Sequence, residues 1–135
     1  MGFAESLRTC FGKYAKFDGR ASRPEFWYFY LFCFIYMFVA GFLLGMTGAS
    51  DAASGGAILI LMIPIFIPSI AVAARRLHDI NQSGWMQCIF IPGFFGDMLL
   101  GTGYVIYIVT LALWAFWFSQ VGKKVKNRFG AQTKK

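Results

Sequence analysis

The chain alternates between long apolar runs and short polar joints. Phe26 to Ser50, Ala52 to Ala74, Ile80 to Gly96 and Met98 to Gly122 contain no charged residue. A helix needs roughly 20 apolar residues to cross the hydrocarbon core of a bilayer, so these runs read as candidate spans. The residues ahead of them follow a different rhythm. Phe3, Leu7, Cys10, Phe11 and Tyr14 fall on one face of a helix, with Glu5, Arg8, Thr9, Lys13 and Lys16 on the other. This spacing predicts an amphipathic helix over residues 1–17, either lying on a membrane surface or docked on the protein's own cytoplasmic face.

Gly19 permits a turn, and Ser22-x-x-Glu25 has the spacing of a capping box with Pro24 in the first turn, so a helix is predicted to start here. Its span is 26–46. Residues 47–56 are rich in Gly, Ser and Ala, lack Lys and Arg, and read as a loop on the far side of the membrane. A second span follows over 57–74, with a kink expected at Pro64 and Pro68. Trp85 to Phe118 is too long for one span and barely long enough for two, and positive charge decides between them. With spans at 84–100 and 104–121, broken near Gly101-Thr102-Gly103, all 13 Lys and Arg fall on one side; with a single span the last six would be translocated. Tryptophans give an independent indication. Trp27 and Trp85 open spans one and three, and Trp114 and Trp117 close span four, all on the cytoplasmic side where aromatic belts form. Pro92-Gly93 and Asp97 interrupt the third span, which leaves a re-entrant or strongly tilted hairpin as the alternative.

Composition agrees with lipid surroundings. Of 135 residues, 58% are apolar and 14% charged, against about 25% charged in an average soluble domain. The expected fold is all-α: one membrane domain over 1–135, polytopic, with four transmembrane helices preceded by the amphipathic helix and followed by a basic cytoplasmic tail at 122–135. The net charge of +7 flanks apolar spans, so it points to topology and anionic lipid headgroups rather than to nucleic acid. Cys10, Cys33 and Cys88 lack metal-ligand spacing and read as free thiols. The first apolar run follows a basic region and is too long for the core of a cleavable signal, so it reads as an uncleaved anchor.

Polar chemistry is concentrated at Arg75-Arg76-Leu77-His78-Asp79 and in Asp18 to Glu25, at the same expected depth. If the second span continues helically past Ala74, Arg75, His78 and Asp79 share a face, and Asn81 to Gly84 turn the chain. Asp79 and Glu25 are expected to accept from arginines, Asp79 pairing with Arg75 more easily than holding His78, in a network that staples spans one and two. Phe17-Asp18-Gly19-Arg20-Ala21-Ser22-Arg23-Pro24-Glu25-Phe26-Trp27, then Arg75-Arg76-Leu77-His78-Asp79 with Ser83-Gly84-Trp85, and finally Asn127-Arg128-Phe129-Gly130 resemble the three signatures of domain-of-unknown-function family 805. Met86 and the segment Gly122-Lys123-Lys124-Val125-Lys126 depart from its pattern. The resemblance implies a small bacterial inner-membrane protein, and it implies no activity.

The candidate site comprises Arg20, Arg23, Glu25, Arg75, Arg76, His78, Asp79, Asn127 and Arg128. Its simplest role is an interfacial network that fixes helix register, since charges at span ends commonly snorkel and pair. The first functional reading is a site for an anionic lipid headgroup or a partner protein. A transporter or channel is the second, drawing on Pro64, Pro68 and Pro92-Gly93 as breaks and on Gly41-x-x-x-Gly45 to pack a homo-oligomer. Against it, no charge lies at an expected midplane. The third is an interfacial enzyme using His78 with Asp79. No nucleophile elbow or metal spacing accompanies that pair, so the expectation is a non-enzyme with no catalytic residue, cofactor or metal.

Overall fold

The computed structural model describes residues 1–90, 104–123 and 125–131. Among these residues the fold is all helical, with no strand and one isolated bridge between Asn127 and Gly130. The helices are α1 (Phe3–Gly12), α2 (Arg23–Met46), α3 (Asp51–Asp79) and α4 (Tyr104–Ser119), with a 3-10 helix at Gly84–Phe90. The chain divides into two compact units, one built on Met1–Lys16 and Pro24–Val72, the other on Phe17–Arg23 and the chain from Ala73 onward.

In the first unit α1 is docked on α2. Phe3 meets Tyr28 edge-on at 6.0 Å between ring centroids, and Phe11 meets Phe29 and Phe32 at 5.6 and 5.8 Å. Ser6 and Cys10, one turn apart, are buried beneath these rings. The helix is shorter than the amphipathic pattern predicts: it stops at Gly12, with Lys13 N–H closing its last turn on the Thr9 carbonyl. Tyr14 therefore falls in the following turn rather than on the helical face.

Helix α2 begins at Arg23, as the capping-box spacing predicts, with Pro24 in its first turn where the missing N–H costs little. Its 24 residues give about 36 Å, enough to cross a bilayer. Helix α3 corrects the expected loop. It starts at Asp51, so the connection is only Thr47 to Ser50 and the second span begins six positions earlier than 57. Ser50 is the reason. Its hydroxyl accepts from Ala53 N–H at 3.4 Å and its carbonyl from Ser54 N–H at 2.9 Å, an N-cap that with Asp51 and two alanines outweighs Gly55 and Gly56. Pro64 and Pro68 both lie inside α3. Tyr30 donates to the Ser69 carbonyl at 3.4 Å and the Cys33 thiol lies 3.7 Å from the Ser69 hydroxyl, fixing α2 against α3.

Burial is inverted relative to a soluble protein. Phe34, Phe38 and Phe42, one turn apart along α2, are 70%, 66% and 61% exposed, whereas Arg20, Glu25, Arg75 and Arg76 are 3% exposed or less. Large apolar side chains on the outside of α2 and α3 require an apolar solvent, and both helices are long and apolar enough to cross a membrane.

In the second unit α3 ends in a Schellman motif. Gln82 N–H bonds the Leu77 carbonyl at 2.9 Å, Asn81 N–H bonds that of His78 at 3.0 Å, and Asn81 sits at φ 65° in the left-handed region. The chain then passes so close to α3 that a Cβ at Gly84 would lie 2.9 Å from that of Ala74. Gly84–Phe90 forms a 3-10 helix instead of the opening of an α-helical span at 84–100, and the rest of that expected span lies outside the described residues. Phe90 is buried beside Trp117 and Phe118, at 5.8 and 6.3 Å between centroids. The residues up to Phe90 therefore stay level with the end of α4, which runs 16 residues and stops at Ser119, short of 121.

The Schellman motif predicts how position 81 responds to mutation. Asn81→Gly should leave the melting temperature in detergent unchanged or raise it. Asn81→Val should lower stability by about 1–2 kcal/mol, because a β-branched residue resists the left-handed conformation.

Candidate functional site

The site grows from the last turn of α3. Residues Ala71 to Asp79 are all buried, so this helix carries its charged end inward and its apolar middle outward. The segment before α2 is laid against that end by a main-chain bond, Ala21 N–H to the Arg75 carbonyl at 2.9 Å. Gly19 makes the preceding turn at φ 91°, where a side chain would be strained, and its carbonyl faces His78 Nδ1 at 3.1 Å. A carbonyl only accepts, so Nδ1 carries the proton.

Asp79 is the hub. Arg20 Nε donates to Oδ1 at 2.8 Å, and Arg76, one turn before Asp79 on α3, donates to Oδ2 at 2.5 Å. Neither arginine is used up by the carboxylate. Arg20 also reaches the main-chain carbonyls of Lys123, Val125 and Gly130, and Arg76 those of Phe118 and Gln120. Lys123 N–H returns a bond to the Asp79 carbonyl at 3.0 Å. The segment from Gln120 to Ala131 is thereby strapped across the end of α3.

The strap closes in a self-contained turn. Gly130 N–H bonds the Asn127 carbonyl at 3.0 Å, Phe129 N–H bonds Asn127 Oδ1 at 2.9 Å, and Gly130 takes φ 118°. Asn127 Nδ2 then donates to the His78 carbonyl at 2.8 Å, and the Phe129 ring stacks on the imidazole at 3.8 Å and 5°. The Arg128 guanidinium lies over the same ring, 4.7 Å from its centroid.

Arg20, Arg76, His78, Asp79 and Asn127 are thus brought together. Arg75 is buried and supplies its carbonyl, and Arg76 pairs with Asp79 in the i, i+3 relation. The observed network ties Asp79 to the strap, because the arginine forks find main-chain carbonyls there. Glu25 belongs to the other unit, buried with its carboxylate 3.9 Å from Cys10 Sγ. Arg23 is exposed at the start of α2, and Arg128 is exposed on the strap. The strap carbonyls, Gly122 and Phe129 are not among the predicted residues. Main-chain acceptors leave no mark in a sequence, but Phe129 and Gly130 stand in the quoted closing motif.

This geometry forms no Asp–His dyad: arginines hold both Asp79 oxygens, and His78 turns Nδ1 to Gly19 and its face to Phe129. His78 lies beyond the apolar stretch that ends at Ala74. Burial pushes its imidazole below the ordinary histidine range and Arg128 adds to this, against the Gly19 carbonyl and Asp18.

Three outcomes follow for thermal unfolding in detergent. Arg20→Ala should cost on the order of 3–5 kcal/mol, the scale for breaking a buried ion pair, and Arg20→Lys should recover little because an ammonium cannot reproduce the fork. A Cβ at Gly122 would overlap the Asp79 carboxylate, so Gly122→Ala should be destabilising by about 1–3 kcal/mol. Because the folded imidazole resists protonation, its contribution should be complete above the unfolded-chain value and lost as pH falls through the folded one. His78→Gln should flatten that dependence.

Comparison with known proteins covers the same elements. The family model described as "Protein of unknown function (DUF805)" matches residues 14–131, from ahead of Arg20 to beyond Gly130. Inner membrane protein YhaH of Escherichia coli strain K12 is 36% identical over 122 residues, 90% of this chain and 89% of that protein. Inner membrane protein YhaI of the same strain is 33% identical over 88 residues, 64% of this chain and 71% of that protein. No solved structure matches the chain. An inverted burial pattern, a cap assembled from three sequence signatures and relatives that are inner membrane proteins lead to one assignment: the chain belongs to the DUF805 family of proteins of unknown function.

Proposed function

We propose that this chain is a four-span bacterial inner-membrane protein with both termini in the cytoplasm, whose polar cap is a structural staple with a basic rim for anionic headgroups. The observation that carries the reading is that the segment before α2, the end of α3 and the segment after α4 are hydrogen-bonded to one another. Three joints that meet must lie at one membrane depth, and all are basic, which favours the cytoplasmic side. The chain between Phe90 and Ser119 then leaves that surface and returns to it. Helix α4 is about 24 Å long, shorter than the hydrocarbon core, so it crosses with local thinning of the bilayer.

The rim differs from the one read in the sequence. Arg75 and Arg76 are buried, so the charges that face headgroups are exposed ones such as Arg23, Lys126 and Arg128. Exchanging these three for Gln should lower the anionic lipid that co-purifies, with affinity falling on the order of a hundredfold if each contributes the ~1 kcal/mol of a basic residue at an anionic surface.

Topology is tested by thiol labelling in intact cells, with Cys10, Cys33 and Cys88 replaced and single cysteines at Ser54, Thr102 or Thr133. Ser54 and Thr102 should label from outside, and Thr133 only after lysis. A silent Thr102 beside a reactive Ser54 means a re-entrant hairpin and two full spans. Labelling of Thr133 from outside rejects the reading.

A further inference from the structure

Arg20 and Arg76 bring two guanidinium charges to one carboxylate, Asp79, and all three side chains are buried. Their surroundings add positive charge, with Arg23 and Arg20 both acting on Arg76. The remaining donors are met by neutral main-chain carbonyls: Phe118 in the last turn of α4, Gln120, Lys123, Val125 and Gly130 in the strap, and Asp79 itself. Two planar forks that converge on one carboxylate, one on each oxygen, match the oxygens of a phosphate group. A buried excess of charge is stabilised more by an anion than by carbonyl dipoles. Beyond these bonds the described part of the strap is held by Lys123 N–H on the Asp79 carbonyl, by Asn127 Nδ2 on the His78 carbonyl and by the Phe129 ring, while Val121 and Val125 are 65% and 72% exposed and Lys123, Lys126 and Arg128 are exposed cations.

We propose that the Arg20–Arg76 pair is a binding site for a phosphate oxyanion, latched by the strap, and that the anion's arrival releases the strap. The four strap carbonyls, of Gln120, Lys123, Val125 and Gly130, occupy the donor positions the oxyanion takes. Charge-assisted bonds to phosphate are about twice as strong as those to a neutral acceptor, and a bidentate ligand replaces several carbonyls at once. The phosphate is either free or part of an anionic lipid headgroup. The lipid-borne source rests on the proposed cytoplasmic cap, whereas the free source does not depend on topology.

The test is hydrogen–deuterium exchange of the full chain, read on the peptide covering the strap. In neutral detergent, inorganic phosphate is compared with chloride at equal ionic strength. In vesicles, phosphatidylcholine alone is compared with phosphatidylcholine mixed with phosphatidylglycerol. Strap exchange should rise about tenfold, the scale of one or two lost charge-assisted hydrogen bonds, with α2 unchanged. A rise with phosphate and with phosphatidylglycerol supports a site open to either source, and a rise with phosphatidylglycerol alone assigns it to the headgroup. No rise in either arm, or an equal rise with chloride or phosphatidylcholine, overturns the proposal. A double variant, Lys126→Gln with Arg128→Gln, leaves the forks intact and should keep the response. If the response disappears there, the anion acts on surface charge and the proposal fails. Arg76→Lys keeps the charge without the fork and should lose the response. A folded Arg76→Lys protein that responds like the parent also overturns it.

Discussion

The polar cap at the end of α3 depends on a single carboxylate shared by two buried guanidinium groups. Asp79 stands at the C-terminal end of α3, where cations are favoured by the helix dipole, and one of its arginines comes from its own helix while the other arrives from ahead of α2. A charge removed from water is tolerated only when its donors are satisfied. Here the surplus donors turn to main-chain carbonyls, and satisfying them draws the segment after α4 into place. One electrostatic requirement thus organises three distant parts of the chain.

The arrangement also explains why the closing motif has its particular residues. Asn127 folds the turn through its side-chain oxygen and docks it through its side-chain nitrogen. Gly130 supplies the left-handed backbone, and Phe129 provides the one ring that covers His78. No charge is needed for this docking, which is why Arg128 is left at the surface to lie over the ring.

Much of this was legible from residue pattern. Apolar runs located α2, α3 and α4 because a 3.6-residue helix in lipid has no polar face to confuse the signal. The Ser22 cap spacing marked the start of α2, and the cluster at Arg75–Asp79 marked the end of α3. Where pattern reading failed, a local term had overridden composition. Ser50 and Asp51 started α3 inside a segment that two glycines make look like loop, and Gly12 ended α1 before its amphipathic period did. That Arg76 pairs with Asp79 was not legible for a different reason: i, i+3 and i, i+4 neighbours are equally near on a helix. The carbonyl acceptors were invisible because every residue carries one.

The strap is made of residues that follow α4, so the last part of the cap to emerge is also the part that completes it. Until those residues are in place, Arg20 lacks the carbonyls of Lys123, Val125 and Gly130, and Arg76 lacks that of Gln120. Two guanidinium groups therefore reach their full set of acceptors only with the C-terminal segment, so a chain cut short after α4 would keep the ion pairs to Asp79 and lose the neutral half of the network that makes their burial tolerable.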